Sequence, residues 1–166
     1  MGEVLEKPLY ETDYYAWTKE QAGKLRELAQ ARSNLPLDLE NLAEEVESLG
    51  RSDLRICRSQ IRRIIEHLLK LEHSPAGEPR LGWQKTVLDA RIEIEDVITP
   101  TLRQDVEAEL GKLYGRGHKA AQLALREHGE DEASEALPER CPYSFEQITS
   151  VGWYPRNRRG IEDGGV

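Results

Sequence analysis

The sequence predicts an all-α protein, a helical bundle of about four main helices with one long central helix and a short C-terminal helix. Between residues 39 and 71, apolar residues recur at alternating steps of three and four, which is the spacing of one face of a helix. Clusters of proline and glycine separate this stretch from others with the same period. No stretch alternates apolar and polar residues, so no strand is predicted.

The first predicted helix begins after Thr12, whose hydroxyl can accept a hydrogen bond from an unpaired backbone N–H, and it runs to about Arg32. Trp17 and Leu25 lie on its apolar side. Pro36 then interrupts the helical pattern, because proline lacks a backbone N–H and disfavours helical geometry in the residue before it. A loop therefore separates this helix from the next.

The long central helix is predicted from an N-cap at Asp38 to about His73. Gly50 could divide it, since glycine costs about 1 kcal/mol relative to alanine inside a helix. The apolar stripe passes Gly50 without losing phase, so we predict one continuous helix that a neighbouring helix approaches closely at this glycine. His73 falls on the charged side and is expected to be solvated. The stripe contains Val46, Gly50, Leu54, Cys57, Ile61, Ile64, Leu68 and Leu71.

Two further long helices are predicted at about residues 82–98 and 101–127, and Thr99-Pro100 separates them. A short helix begins at Ser144, because Gln147 stands three residues later at capping-box spacing. The chain after residue 155 contains glycine and charge without apolar spacing. We therefore predict one α-helical domain over residues 1–155 and a flexible C-terminal tail over 156–166.

Composition excludes several classes of function. The chain has 166 residues and a net charge of −8 at pH 7, which disfavours binding to nucleic acid or to an acidic membrane surface. No stretch approaches the roughly 18 consecutive apolar residues of a membrane span, and no secretory signal is recognisable, so we expect a cytoplasmic protein. Cys57 and Cys141 lack CxxC spacing and are expected to be free thiols. Nothing in the sequence indicates a cofactor.

The length of the central helix predicts a partner. A helix from residue 38 to residue 73 would extend about 54 Å at a rise of 1.5 Å per residue. A globule of this size has a radius of gyration of only about 15 Å. Part of the apolar stripe would then overhang the domain, and homodimerisation is the simplest way to cover it, with a different protein as the alternative.

Four polar residues form a candidate site along one edge of the stripe: Glu45, Asp53, Gln60 and His67. They could form a groove in which carboxylates and histidine meet partners on another helix, as in the metal sites of helical bundles. The alternative is a set of buried hydrogen bonds that fix how the helices pack. We favour the alternative, because residues seven apart are separated by about 10.5 Å along the axis and cannot share one ion. No metal ligand and no catalytic residue is assigned.

Four arginines form a basic ridge on the same helix: Arg51, Arg55, Arg58 and Arg62. Guanidinium groups bind phosphate or carboxylate with two parallel hydrogen bonds, so the ridge is a candidate site for a phosphate or an acidic partner. The simpler interpretation is the solvated face of an amphipathic helix, with Glu47 and Arg51 at i,i+4 spacing. No aromatic residue interleaves the ridge as base-stacking surfaces require, so nucleic acid is not expected to bind.

Four segments of the chain have a distinctive sequence: 10–17 (YETDYYAW), 41–52 (NLAEEVESLGRS), 67–70 (HLLK) and 141–147 (CPYSFEQ). Together they resemble a bacterial family known as domain of unknown function twenty-nine. The resemblance implies a small helical bacterial protein without an established activity, and it therefore carries over no catalytic residue. Leu71 departs from the family pattern, which usually has an aromatic residue after the His-Leu-Leu-Lys segment.

These observations predict a non-enzymatic module for protein interaction or dimerisation. The alternative is a metal-dependent or acid/base enzyme with its site around His67, Asp53 and Glu45. The overhanging helix favours the interaction module, whereas the polar edge lacks the Glu-x-x-His pairs of di-metal bundles.

Overall fold

The computed structural model describes residues 6–31 and 34–163. Over these residues the protein is all-α and contains no strand, which confirms the predicted fold class. The helices are α1 (Leu9–Thr12), α2 (Tyr14–Gln30), α3 (Leu39–His73), α4 (Arg80–Val97), α5 (Pro100–Ala108), α6 (Leu110–Glu127), α7 (Asp131–Glu135) and α8 (Phe145–Thr149).

The long central helix is continuous, as predicted, and α3 contains 35 residues. Its N-terminus is capped by Asp38, whose Oδ1 accepts a hydrogen bond from the backbone N of Asn41 at 3.2 Å. A Cβ atom on Gly50 would lie 2.4 Å from Thr18 Oγ1, so α2 packs against α3 at a distance that only glycine allows. The sequence therefore predicted both the continuity of the helix and the close neighbour.

The first predicted helix differs from the structure in its N-cap residue. Asp13, and not Thr12, caps α2, because Asp13 Oδ1 accepts a hydrogen bond from the backbone N of Ala16 at 3.1 Å. The helix ends at Gln30, and the predicted end at Arg32 lies outside the described residues.

The predicted helix over residues 101–127 is two helices, α5 and α6. The break is at Glu109, whose carboxylate accepts two hydrogen bonds from Arg58 of α3. Gly111 and Gly115 follow the break and are weak helix formers. The local sequence therefore does little to favour a continuous helix through Glu109.

The apolar core surrounds the C-terminal half of α3. Ile61, Ile65 and Leu68 are fully buried, and the buried apolar residues of α4, α6 and α8 belong to the same cluster. We call residues 54–73 of α3, together with α4 to α8, the core bundle. We call α2 and residues 39–53 of α3 the helical hairpin.

The segment after residue 155 contacts the end of α3. The side-chain N of Asn157 donates to the carbonyl oxygens of Leu71 and Ser74, each at 2.9 Å, and the backbone N of Arg158 donates to the carbonyl of Glu72 at 2.8 Å. These bonds satisfy carbonyls that the end of a helix leaves without partners. The sequence predicts a flexible tail over residues 156–166, and residues 157 and 158 of this segment are bonded to α3. Residues 164–166 lie outside the described part of the chain.

His73 is buried, contrary to the prediction that it is solvated, and only 5% of its surface is exposed. The periodicity of α3 places His73 on the charged side, but the C-terminal segment bonded to the same helix end lies close to that side. None of the helices in the described residues combines the length and the apolar character needed to cross a membrane.

Candidate functional site

The predicted polar edge is spread along α3. Glu45 is exposed near the start of the helix, and Asp53 is half-buried, with its pKa raised by burial. Gln60 donates to a carboxylate oxygen of Glu93 on α4. His67 Nδ1 lies 2.9 Å from the carbonyl oxygen of Arg63, one turn earlier on the same helix.

Because α3 is one continuous helix, these four residues stay seven or eight positions apart along its axis, and each has its own neighbours. Burial lowers the pKa of His67, and the charge of Lys70 lowers it further, so the ring is neutral at pH 7. Across the described residues there is no group of three or more His, Cys, Asp or Glu side chains that could hold a metal ion. Of the four residues, Gln60 forms a hydrogen bond to α4 and His67 forms one within α3.

The basic ridge divides into two parts. Arg51 pairs with Glu44 and Glu47 at the surface of the helical hairpin. Further along α3 the ridge borders a depression of about 310 Å³, which one serine and one arginine from outside the predicted set also line. The residues around this depression are Arg55, Arg58, Ser59, Arg62 and Arg116, and we call it the arginine pocket.

Arg116 belongs to α6, and sequence reasoning missed its place in this group. A Cβ atom on Gly117 would lie 2.9 Å from the carbonyl oxygen of Arg62 and 2.7 Å from Cγ2 of Ile65. The two helices therefore cross at van der Waals distance at this glycine. Arg116, the residue before it, consequently lies beside the ridge. Gly117 in the apolar stripe of α6 was the available signal, because a buried helical glycine marks a close approach of two helices.

A second cavity, of about 370 Å³, lies between the end of α3 and the end of α6. Lys70 is one of its lining residues and is 9% exposed, an unusual burial for a lysine. Its Nζ lies 3.6 Å from Glu66 Oε1 and 5.0 Å from the centre of the Trp83 ring. Burial lowers the pKa of Lys70, while the carboxylates of Glu66 and Glu130 oppose that change. The cation–π contact and the ion pair show what holds this ammonium in place.

The end of α3 carries a buried polar junction. Glu72 accepts hydrogen bonds from the hydroxyl of Tyr143 at 2.6 Å and from Nε of Arg158 at 2.9 Å. His73 Nε2 lies 3.9 Å from Glu72 Oε2 and has no hydrogen-bond partner among the described residues. Burial lowers the pKa of His73 and raises the pKa of Tyr143, so both are neutral at pH 7. The junction connects α3 to the C-terminal segment.

The helical hairpin exposes an apolar surface. Leu42 and Leu49 of α3 are 41% and 47% exposed, and their seven-residue spacing places them on one face of the helix. Tyr10 of α1 and Tyr14 and Trp17 at the start of α2 form an aromatic cluster with ring centres 4.8 to 5.6 Å apart. The ion pairs of Glu44, Glu47 and Arg51 lie on the opposite side of α3 from the two leucines. We call the side of α3 with Leu42 and Leu49 the leucine face.

Comparison with known proteins agrees with the fold. Residues 9–154 match the family described as Domain of unknown function DUF29. A crystal structure of an alpha-helical protein of unknown function from Rhodospirillum rubrum is 30% identical, with a TM-score of 0.79, and the match covers 89% of this chain and 93% of that chain. No curated protein matches the chain.

Proposed function

The chain belongs to the family described as Domain of unknown function DUF29, and we propose that this member is an interaction module whose helical hairpin pairs with a second copy of the chain. The observation that carries the proposal is the uncovered leucine face. The hairpin is the part of the molecule where α3 has the fewest neighbours.

The two halves of α3 differ in how much of their surface other helices cover. Leu54 and Cys57 already pack in the core cluster with residues of α4, α5 and α6. The hydrogen bonds from α3 to these elements then come from Arg58, which bonds to Glu109 between α5 and α6, and from Gln60, which bonds to α4. Along residues 39–53 the packing partner is α2, through contacts such as Gly50 with Thr18. One helix covers one side of another, so the remaining sides of this half of α3 face solvent or a partner.

A second copy fits this surface better than an unrelated partner. The two leucines can meet their counterparts across a two-fold axis without bringing the ion pairs together, because those pairs lie on the far side of the helix. Glu45 and Asp53 lie on the same side of α3 as the leucines, so a two-fold contact also places these carboxyl groups at or beside the interface. Two hairpins packed in this way form a four-helix bundle, which is a common way to bury the apolar sides of helix pairs. Full burial of one leucine side chain contributes about 1.5–3 kcal/mol, so four leucines from two copies supply a useful share of a dimer's free energy.

The proposal is tested by light scattering across a dilution series. We expect a mass near twice the monomer value of 18.9 kDa at high concentration and a return to the monomer on dilution. A variant with Leu42→Glu and Leu49→Glu is expected to remain monomeric at all concentrations. The matched control carries Leu123→Glu and Val151→Glu, two exposed apolar residues outside the hairpin, and is expected to dimerise like the parent chain.

Three outcomes would contradict the proposal. The parent chain could stay monomeric at every concentration, or its dimer could persist in the hairpin variant. A third is a dimer that dissociates when Leu88 and Ile92, exposed on α4, are replaced by glutamate, because the interface would then lie on the core bundle.

A further inference from the structure

The arginine pocket lies at the crossing of α3 and α6, in the core bundle and apart from the leucine face. Four guanidinium groups surround one depression of about 310 Å³. Groups of like charge raise each other's energy unless an opposite charge lies between them or beside them. Whether the pocket has a net positive charge therefore depends on the carboxylates around it.

The carboxylates compensate only part of this charge. Arg58 is paired with Glu109 through both Nε and Nη2. Arg62 lies 3.6 Å from Glu66, but the same carboxylate also lies 3.6 Å from Lys70, so one negative charge is shared by two cations. Within the described chain, Arg55 and Arg116 have no ion pair. The pocket thus carries an excess of positive charge in a protein whose net charge is −8.

The surroundings increase this excess. Lys112 and Lys119 stand four residues before and three residues after Arg116, which places them on the same side of α6. Both are exposed, and neither forms an ion pair among the residues that the structure describes. A local positive potential of this kind attracts anions from solution and raises their rate of encounter.

The fold holds the pocket in a defined shape. Gly117 fixes the separation of the two helix backbones, since even one methyl group there would collide with the carbonyl of Arg62. The two hydrogen bonds from Arg58 to Glu109 orient one guanidinium plane. Part of the entropy cost of ordering arginine side chains around a ligand is thus already met in the free protein.

From these contacts we infer that the arginine pocket binds a compact, multiply charged oxyanion of the phosphate or polyphosphate class. Guanidinium groups present parallel N–H donors that match the oxygens of a phosphoryl group, and the hydroxyl of Ser59 adds a further donor at the same depression. The described lining contains no aromatic side chain on which a base could stack, so recognition rests on the phosphoryl groups.

The test is calorimetric titration of the full chain with tripolyphosphate, with ATP as a second arm. We expect one site per chain, an affinity that falls as sodium chloride is added, and similar binding of tripolyphosphate and ATP. The variant with Arg55→Gln and Arg116→Gln should bind about tenfold more weakly or worse, because two charged donors are lost. The control variant with Arg63→Gln and Arg140→Gln changes the net charge equally at exposed positions outside the pocket and should bind like the parent chain.

Several results would overturn the inference. The parent chain could fail to bind tripolyphosphate at low salt, or the control variant could lose as much affinity as the pocket variant, which would indicate attraction to net charge alone. Tight binding of ATP without binding of tripolyphosphate would assign recognition to the base. Binding of single-stranded or duplex nucleic acid that tripolyphosphate does not compete away would assign the surface to a different class of ligand. Unchanged thermal unfolding of both variants establishes that the comparison is between folded proteins.

Discussion

The two halves of α3 have similar sequence patterns and different environments. Ten of the twenty residues at positions 54–73 are buried, against three of the fifteen at positions 39–53. The first group includes large side chains such as Ile64 and Leu68, whereas two of the three in the second group are Ala43 and Gly50. Over one half, α3 thus lies in the core among several helices. Over the other half, it packs against α2 in a layer of two helices. The difference shows that amphipathic spacing predicts a helix and its inner face, but not how many neighbours will cover it.

The largest expected effect distinguishes the two halves by stability. Leu68→Ala removes a fully buried side chain from the core bundle and should lower the free energy of unfolding by about 2–5 kcal/mol. Leu42→Ala, at an exposed position of the hairpin, should lower it by less than about 1 kcal/mol in a dilute monomer. Urea unfolding followed by circular dichroism measures both. Equal losses at the two positions would show that the hairpin is as well covered as the core.

Next in size is a comparison of two glycines of α6. Gly117→Ala places a methyl group against the carbonyl of Arg62 and should destabilise the protein by about 1–3 kcal/mol, because backbone cannot move aside. Gly115→Ala meets nothing within 4 Å and should stabilise the helix by about 0.5–1 kcal/mol. Thermal unfolding of the two variants gives the sign of each change. A stabilising Gly117→Ala would refute the close crossing of α3 and α6.

A third prediction concerns the buried histidine of the core bundle. The pKa of His73 is lowered below its ordinary value of 6.5, so the unfolded chain binds a proton more readily than the folded one. Stability is therefore fully present above pH 6.5 and falls as the pH drops below it, by up to about 1.4 kcal/mol per pH unit for this one group. His67 shifts in the same direction and adds to the slope.

The control for this slope is His73→Gln. The variant removes one titrating group, so its stability should vary less between pH 7 and pH 5 than that of the parent chain. Urea midpoints at a series of pH values measure both slopes. An unchanged slope would mean that His73 titrates as if it were solvated.

The smallest expected effect lies at the border of the hairpin and the core bundle. Burial raises the pKa of Asp53, so its charged form costs stability that is recovered when the pH falls through the raised pKa. Asp53→Asn should therefore stabilise the protein at pH 7, by less than about 1 kcal/mol because the side chain is only half-buried. Chemical denaturation at pH 7 and at pH 4 tests this, and a variant that is less stable than the parent at pH 7 would contradict it.

Patterns within one helix predicted most of the fold. The continuity of α3 followed from the unbroken phase through Gly50, and the capping box of Ser144 with Gln147 was visible in the spacing of two residues. The family resemblance was confirmed by the match over residues 9–154. Such features depend on neighbours a few positions away, which a sequence displays directly.

Contacts between distant segments could not be predicted from the sequence. The break lies at Glu109, whose carboxylate pairs with Arg58, fifty-one positions earlier in the chain. The burial of His73 depends on a segment that returns more than eighty residues later. Arg116 reaches the arginine pocket because α6 crosses α3 at Gly117, and no pattern on either helix alone specifies where two helices cross.

The central claim is that neighbouring helices cover the second half of α3 and leave the first half for a second copy of the chain. Hydrogen exchange along α3 at two protein concentrations tests it most directly, because it measures the protection of the amides in each half separately. We predict that the amides of residues 39–53 exchange faster than those of residues 54–73 in dilute protein, and that only the first group slows as concentration rises. Equal exchange in both halves, or exchange of residues 39–53 that does not change with concentration, would contradict an uncovered hairpin that a second copy completes.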